Sequence, residues 1–289
     1  MEIKILIPVY NDWQSVFKLL ENINSEISNL EHKFSVVIVN DASTEAKSEL
    51  TVNLENLNSI KIINMKENKG HARCNAAGLK YIFENEEFDF VIPMDGDGED
   101  RPEEIKNFLQ YISHNPDKPI VGNRAKRSEN IIFKTCYFFH KLITLTFAGQ
   151  SIKFGNYTCL PKLTVEKMIK EKATWSSFSG SLQKIEKIKI NCESIRGIRY
   201  FGPSKMSFLN LIKHSLCMMS VFRKNVLIRS IFFLIIYFFL IFKNISNITL
   251  IPFYLVIMLN FFSFYFASRE DMDEYNASLQ NIRNINILK

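Results

Sequence analysis

The 289-residue chain has no paired cysteine pattern: Cys74, Cys136, Cys159, Cys192 and Cys217 are scattered, with no C-x-x-C spacing. That argues against a metal ribbon or a disulfide framework and for reduced core thiols in a cytosolic compartment. No charged leader or cleavage site precedes the first apolar run, since Met1-Glu2-Ile3-Lys4 leads straight into it, so no secretory signal is expected. A net charge of +6 is one usual sign of nucleic-acid binding, but the chain has no finger spacing, no RNP-type aromatic strand and no basic helix of the required pattern. Nucleic acid is set aside as a partner, and the basic surplus fits anionic lipid head groups instead.

The 47% hydrophobic content is ordinary for a globular protein, yet its distribution is uneven. Most polar residues lie before about residue 225, and beyond it come two apolar runs, Val226 to Phe242 and Ile248 to Ala267, of near-spanning and full-spanning length. Arg223, Lys224 and Arg229 flank or open the first run, Arg269 follows the second, and only Lys243 lies between them. The positive-inside rule then places the 243–247 loop outside and both ends in the cytoplasm. A buried helical hairpin is the alternative for the first run; the second has no polar face to support it.

The front half alternates. Ile3 to Pro8, Phe34 to Val39, Ile60 to Met65 and Phe88 to Met94 are apolar and β-branched, whereas Asp12 to Ile27, Glu45 to Leu57 and His71 to Asn85 show helical spacing. This rhythm predicts an α/β fold with a largely parallel, doubly wound sheet that binds its ligand outside the carboxyl ends of the strands. Polar residues collect at those ends: Pro8-Val9-Tyr10-Asn11-Asp12, Asn40-Asp41-Ala42-Ser43-Thr44, Glu67-Asn68-Lys69-Gly70, and Asp95-Gly96-Asp97-Gly98-Glu99-Asp100. Turn chemistry or helix capping is the competing reading for Asp12 and Ser43. The last segment is the most informative, because Asp95, Asp97 and Glu99 offer hard oxygen ligands suited to Mg²⁺ or Mn²⁺, which keep one or two protein carboxylates and fill their shells with phosphate oxygens and water. The expected ligand is a diphosphate.

Ile7-Pro8-Val9-Tyr10-Asn11-Asp12, Val39-Asn40-Asp41-Ala42-Ser43, Asn68-Lys69-Gly70 and Met94-Asp95-Gly96-Asp97 resemble, in order and spacing, the family 2 inverting glycosyltransferases of the GT-A fold. The resemblance implies that Pro8, Tyr10, Asp12, Asp41 and Lys69 serve the nucleotide sugar. It also implies that Asp95 sits near ribose and metal and that Asp97 ligates the metal. Like that family, the chain has no G-x-G-x-x-G fingerprint. Within the family it is most similar to the polyprenyl-phosphate glycosyltransferases, through Asp95 to Glu103, with Glu99 where Gln is usual, then Gly122 to Arg127, Arg199, Gly202-Pro203-Ser204-Lys205 and the paired anchor.

Arg124 and Arg127 follow an apolar strand and suit phosphate oxygens, a solvated basic turn being the alternative. Both are assigned with Asp97 to the catalytic set; Asn156, Arg199, Ser204 and Lys205 are assigned to the acceptor side. Where the related enzymes carry Gly-Asp-Phe-Arg, this chain reads Gly155-Asn156-Tyr157-Thr158, and an Asn cannot take a proton. A phosphate acceptor, already anionic, needs no base, whereas a sugar hydroxyl does. Asp100 is a fallback base and otherwise a helix cap. Ile131 to Phe147 and Met206 to Phe222 suit helices in a membrane interface, with core packing as the rival for the first.

These readings combine into a GT-A catalytic domain over 1–205, a juxtamembrane amphipathic helix over 206–224, two transmembrane helices over 225–268 and a cytoplasmic tail over 269–289. The expected activity is transfer of a sugar from a nucleotide diphosphate sugar to polyprenyl phosphate at the cytoplasmic face of the cell membrane, for cell-surface glycan synthesis. The alternative acceptor is a hydroxyl of a lipid-linked or surface glycan. The expected partners are the donor, the acceptor, the lipid bilayer and, as a further candidate, a second copy of the chain.

Overall fold

The computed structural model describes residues 1–46, 53–126, 131–203 and 208–289. The chain divides into two compact units: the first comprises 1–127, 153–205 and 271–289, the second 128–152 and 206–270. The strands of the first unit are β1 (Glu2–Val9), β2 (Lys33–Asn40), β3 (Leu57–Met65), β4 (Phe90–Pro93), β5 (Ile120–Lys126), β6 (Phe154–Pro161), β7 (Ile190–Ile195) and β8 (Ile282–Ile287). They form one sheet in the order β7-β5-β6-β4-β1-β2-β3-β8.

β1 pairs in parallel with β2 and β4, and β2 with β3, so the four strands expected from the sequence form the parallel centre. Seven consecutive residues of β1 and of β2 are buried, as strands covered on both faces require. The helices α1 (Trp13–Glu26) and α2 (His71–Asn85) fill the crossovers after β1 and β3. Gly78 lets α2 lie close to the sheet: a Cβ there would stand 2.4 Å from Leu6 Cδ1. The expected helix over Glu45–Leu57 is not formed in its described part. Leu57 opens β3, residues 53–56 are a loop and turn, and 47–52 lie outside the described residues.

Two strands run against the others. β6 is antiparallel to both β4 and β5, and β8 is antiparallel to β3. The β4–β6 register pairs Phe90 with Pro161 and Val91 with Leu160, so the start of β6 lies beside the carboxyl end of β4. The segment 271–289, expected as a tail, instead belongs to the first unit: Tyr275 is fully buried and β8 covers the edge of β3. β8 thereby becomes the edge strand of the sheet on that side.

The second unit holds helices Ile131–Ile143, Phe208–Ser220, Arg223–Ile241 and Asn247–Ala267, with a π-helical turn at Thr144–Ala148. Residues 128–152 thus fall outside the first unit, although the sequence placed them in the catalytic domain. The last two helices have 19 and 21 residues, about 28 and 31 Å at ~1.5 Å per residue, enough to cross a bilayer. They pair as an antiparallel hairpin. Arg223 Nη1 bonds to Glu270 Oε2 at 2.7 Å at one end, Asn260 Nδ2 donates to Ser230 Oγ at 2.8 Å along its length, and Tyr237 Oη donates to the Thr249 carbonyl at 3.0 Å towards the other.

Candidate active site

Strand ends deliver the site. After β1 the chain turns through Asn11, whose φ of 50° is left-handed, and after β2 through Ala42 with φ 56°; they are the two non-glycine residues with positive φ among those described. A left-handed L-residue costs about 1–2 kcal/mol, and here cross-bonds hold the strain. Asn11 N–H donates to Ser43 Oγ at 2.9 Å, and Asn11 Oδ1 accepts from the Thr44 and Glu45 amides at 2.8 and 3.1 Å. Asn11 is therefore the clasp between the first two strand ends. Ser43 serves in that clasp, as turn chemistry would have it.

Asp41 is buried below the loop that follows β3. Its two carboxylate oxygens accept from the amides of Lys69 and Gly70, each at 2.9 Å. Burial raises its pKa above the ordinary value, and those two amides work in the opposite direction. The Lys69 ammonium lies 3.1 Å from Glu67 and 3.6 Å from Glu274. Pro8 is buried at the end of β1, and Tyr10 beyond it is exposed.

The acidic loop after β4 closes on itself. Asp100, considered as a base or a helix cap, is buried, and its Oδ2 accepts from the Asp95 amide at 2.9 Å. Asp97 Oδ1 accepts from the Glu99 amide at 3.0 Å. Burial and the neighbouring Asp95 push the Asp97 pKa up to about 6, against the opposing pull of the Glu99 amide and Arg199. A buried carboxylate raised by its neighbour in this way gains from a cation.

A loop after β7 lies along these acids. The amides of Gly197 and Tyr200 donate to the carbonyls of Glu99 and Asp97 at 2.8 and 2.9 Å, and Tyr200 Oη accepts from Asn22 Nδ2 at 2.8 Å. Gly98, at φ +90°, faces the Tyr200 ring. Arg199 bridges Asp97 and Asp12, donating to Asp97 Oδ2 at 2.7 Å, and Arg196 pairs with Glu99. Asp12 sits at the N-cap of α1 but makes no capping bond with its side chain, so its carboxylate serves Arg199 instead.

Asn156 lies near the start of β6, close to Asp95. Its Nδ2 stands 2.6 Å from His71 Nε2 and 3.4 Å from Asp95 Oδ1, and His71 Nε2 is 3.3 Å from Asp95 Oδ1. Loss of solvent works against a charged imidazole, yet Asp95, with Asp100 and Asp97 behind it, carries the His71 pKa above its ordinary value. Of the residues expected from sequence, Asp95, Asp97, Asp12, Arg199, Asn156, Asp41 and Lys69 all lie at the carboxyl edge. Arg124 is in β5, in register with Ser194, while Arg127, Ser204 and Lys205 lie outside the described residues.

Glu99, expected as a metal ligand, turns to Arg196, and among the described residues no three acidic, His or Cys side chains form a metal-holding group. What fits Mg²⁺ or Mn²⁺ is the pair Asp95 and Asp97, since such ions use one or two protein carboxylates. Sequence reasoning missed His71, Arg196 and Tyr200. His71 follows the Asn68-Lys69-Gly70 motif directly, and Arg196 stands three residues before Arg199, the same spacing as Arg124 and Arg127.

Comparison with known proteins agrees with this architecture. Undecaprenyl-phosphate 4-deoxy-4-formamido-L-arabinose transferase of Photorhabdus laumondii is 26% identical over 220 residues, which cover 73% of this chain and 65% of that protein. The chain thus matches about 65% of the length of that relative. Mannosyl-3-phosphoglycerate synthase from Rubrobacter xylanophilus superposes with a TM-score of 0.54 at 10% identity, covering 78% of this chain and 74% of that one. Glucosyl-3-phosphoglycerate synthase from Mycobacterium tuberculosis, crystallised with Mn²⁺, UDP and glucosyl-3-phosphoglycerate, gives 0.50 at 10% identity over 79% of each chain. These structures share the GT-A-like mixed α/β fold. The family model described as glycosyl transferase family 2 matches residues 4–162, more than half of the chain, and the chain belongs to that family.

Proposed function

We propose that this protein is a membrane-held glycosyltransferase that moves a sugar from a nucleoside diphosphate sugar to a polyprenyl phosphate, with inversion at the anomeric carbon. The observation that carries the reading is the gathering of Asp41, the Asp95/Asp97 pair and Asn156 at one sheet edge. The substrate class comes from the Photorhabdus relative, whose name specifies undecaprenyl phosphate.

In this reading Pro8, Tyr10, Asp12, Asp41 and Lys69 receive the nucleoside. Asp95 and Asp97 hold Mg²⁺ or Mn²⁺, the latter being the ion crystallised with the mycobacterial enzyme of the same fold. The ion supplies charge neutralisation for the departing diphosphate. Arg124 and Arg127 are assigned to the same phosphate oxygens, and Arg199, Ser204 and Lys205 to the acceptor. Asn156 offers amide N–H groups and takes no proton, which suits an acceptor that arrives as an anion.

The second unit is the proposed membrane anchor. Its residues, 128–152 and 206–270, carry eight Lys or Arg against two acids, so the whole surplus of +6 resides there and the first unit is neutral overall. The distribution of those cations around the hairpin supports placing residues 1–127, 153–205 and 271–289 at the cytoplasmic face and 243–247 outside.

The test is incubation of the purified full chain in detergent with labelled UDP- and GDP-sugars, Mn²⁺ or Mg²⁺, and undecaprenyl phosphate. A lipid-extractable product that releases its sugar in mild acid is the expected result. Folded protein that transfers from no donor overturns the proposal, and a product stable to mild acid replaces the phosphate acceptor with a hydroxyl.

A further inference from the structure

Glu274 follows the apolar hairpin in sequence, about 200 residues from the strand ends, yet it reaches one of them. Asp271 caps its short helix, accepting from the Glu274 amide at 2.8 Å. Glu274 Oε2 accepts from Trp175 Nε1 at 2.8 Å and pairs with Arg73 Nη2 at 3.0 Å, while Oε1 lies 3.6 Å from Lys69 Nζ. Below it Trp175 stacks on Tyr275 with ring centroids 5.3 Å apart, and the Arg73 guanidinium lies over the same indole. Tyr275 is fully buried and donates to the Ala76 carbonyl of α2 at 3.2 Å.

Two of the partners of Glu274 flank the loop that holds Asp41. The Lys69 and Gly70 amides hold Asp41, and Arg73 sits in the first turn of α2, two residues beyond His71. The same C-terminal segment also fixes the start of this loop: the Lys66 amide donates to the Asn281 carbonyl at 2.7 Å, and Asn281 Nδ2 donates to the Glu67 carbonyl at 3.2 Å. A single half-exposed ion pair would fix little. One carboxylate with three donors on a buried aromatic platform is a network, in which each bond restrains the others.

We infer that Glu274 is a positioning residue for nucleotide binding: through Lys69 and Arg73 it fixes the 66–71 loop, so that the Lys69 and Gly70 amides stay on Asp41. The inference rests on the assignment of Asp41 to the nucleotide site. Glu274 touches no reacting atom in this scheme, so its loss should raise KM for the donor and leave kcat nearly unchanged.

Two readouts on the full chain test it. Hydrogen exchange needs no ligand: in Glu274→Ala, peptides covering 66–71 should exchange about tenfold faster than in the wild type, with Glu274→Gln between the two because it keeps a carbonyl for Trp175 Nε1. Calorimetry with UDP and Mn²⁺ should show affinity weakened about five- to tenfold in Glu274→Ala. Should Glu274→Ala fail to fold, Glu274→Gln decides by the same readouts. Wild-type exchange rates together with wild-type UDP affinity in a folded variant overturn the inference. Wild-type protein that binds neither UDP nor GDP overturns the nucleotide assignment instead, while the exchange data still decide whether Glu274 holds the loop.

Discussion

Arg199 donates from Nη1 to Oδ2 of Asp97 at 2.7 Å and pairs through its other terminal nitrogen with Asp12. One guanidinium therefore bridges the end of β1 and the acidic loop after β4.

Replacing Arg199 by Ala leaves two largely buried carboxylates without their cation. In metal-free protein near pH 7.5 the first unit should lose about 2 kcal/mol of stability. The loss should shrink toward pH 5, where Asp97 takes up its proton. Thermal melts in chelator at both pH values test this, and equal losses at the two would show that charge is not the source.

Asp97→Asn should separate stability from function. The folded pKa of Asp97, about 6, lies above the ordinary 3.8, so its ionisation opposes folding. That penalty is absent below about pH 4, grows as pH rises to 6 and is complete above it. The Asn variant should be more stable than wild type by on the order of 1–3 kcal/mol at pH 7.5, equal to it at pH 4, and inactive in transfer. Melts across this range, alongside a transfer assay, give the comparison. Full activity would remove Asp97 from the metal assignment.

Gly98→Ala tests the loop that follows β7. Alanine at φ +90° costs about 1 kcal/mol in backbone energy, and its Cβ would stand 2.6 Å from the Tyr200 ring. Displacing Tyr200 should raise the total to about 2–4 kcal/mol and break the Asn22–Tyr200 bond. A melting shift no larger than that of a surface glycine substitution would contradict the packing described.

Glu270 has a side chain only 1% exposed, paired with Arg223 across the base of the hairpin. Glu270→Ala strands that arginine and should cost about 3 kcal/mol, the range for one partner removed from a buried pair. Detergent melts of the full chain measure it. Glu270→Gln, which keeps a hydrogen-bond acceptor, should recover part of the loss.

The sequence by itself determined the central strands, helices α1 and α2, the two long apolar runs, and the clustering of Asp41, Asp95 and Asp97 at one edge. Those features are local: a buried parallel strand is a continuous apolar run, and an acid just past its end must lie at the carboxyl edge. The segment Glu45–Leu57 failed the same logic, because helical spacing did not prevent Leu57 from pairing with Phe34 at the start of β3. Tertiary structure alone decided that β6 runs backwards, with Asn156 beside Asp95, and that Glu99 pairs with Arg196. It also decided that residues 271–289 return to the sheet and bring Glu274 to Lys69. Each of these joins residues roughly 60 to 225 positions apart, and no spacing within a single segment encodes such a meeting. Only the closing of the sheet, and the demand that buried carboxylates find partners, selects it.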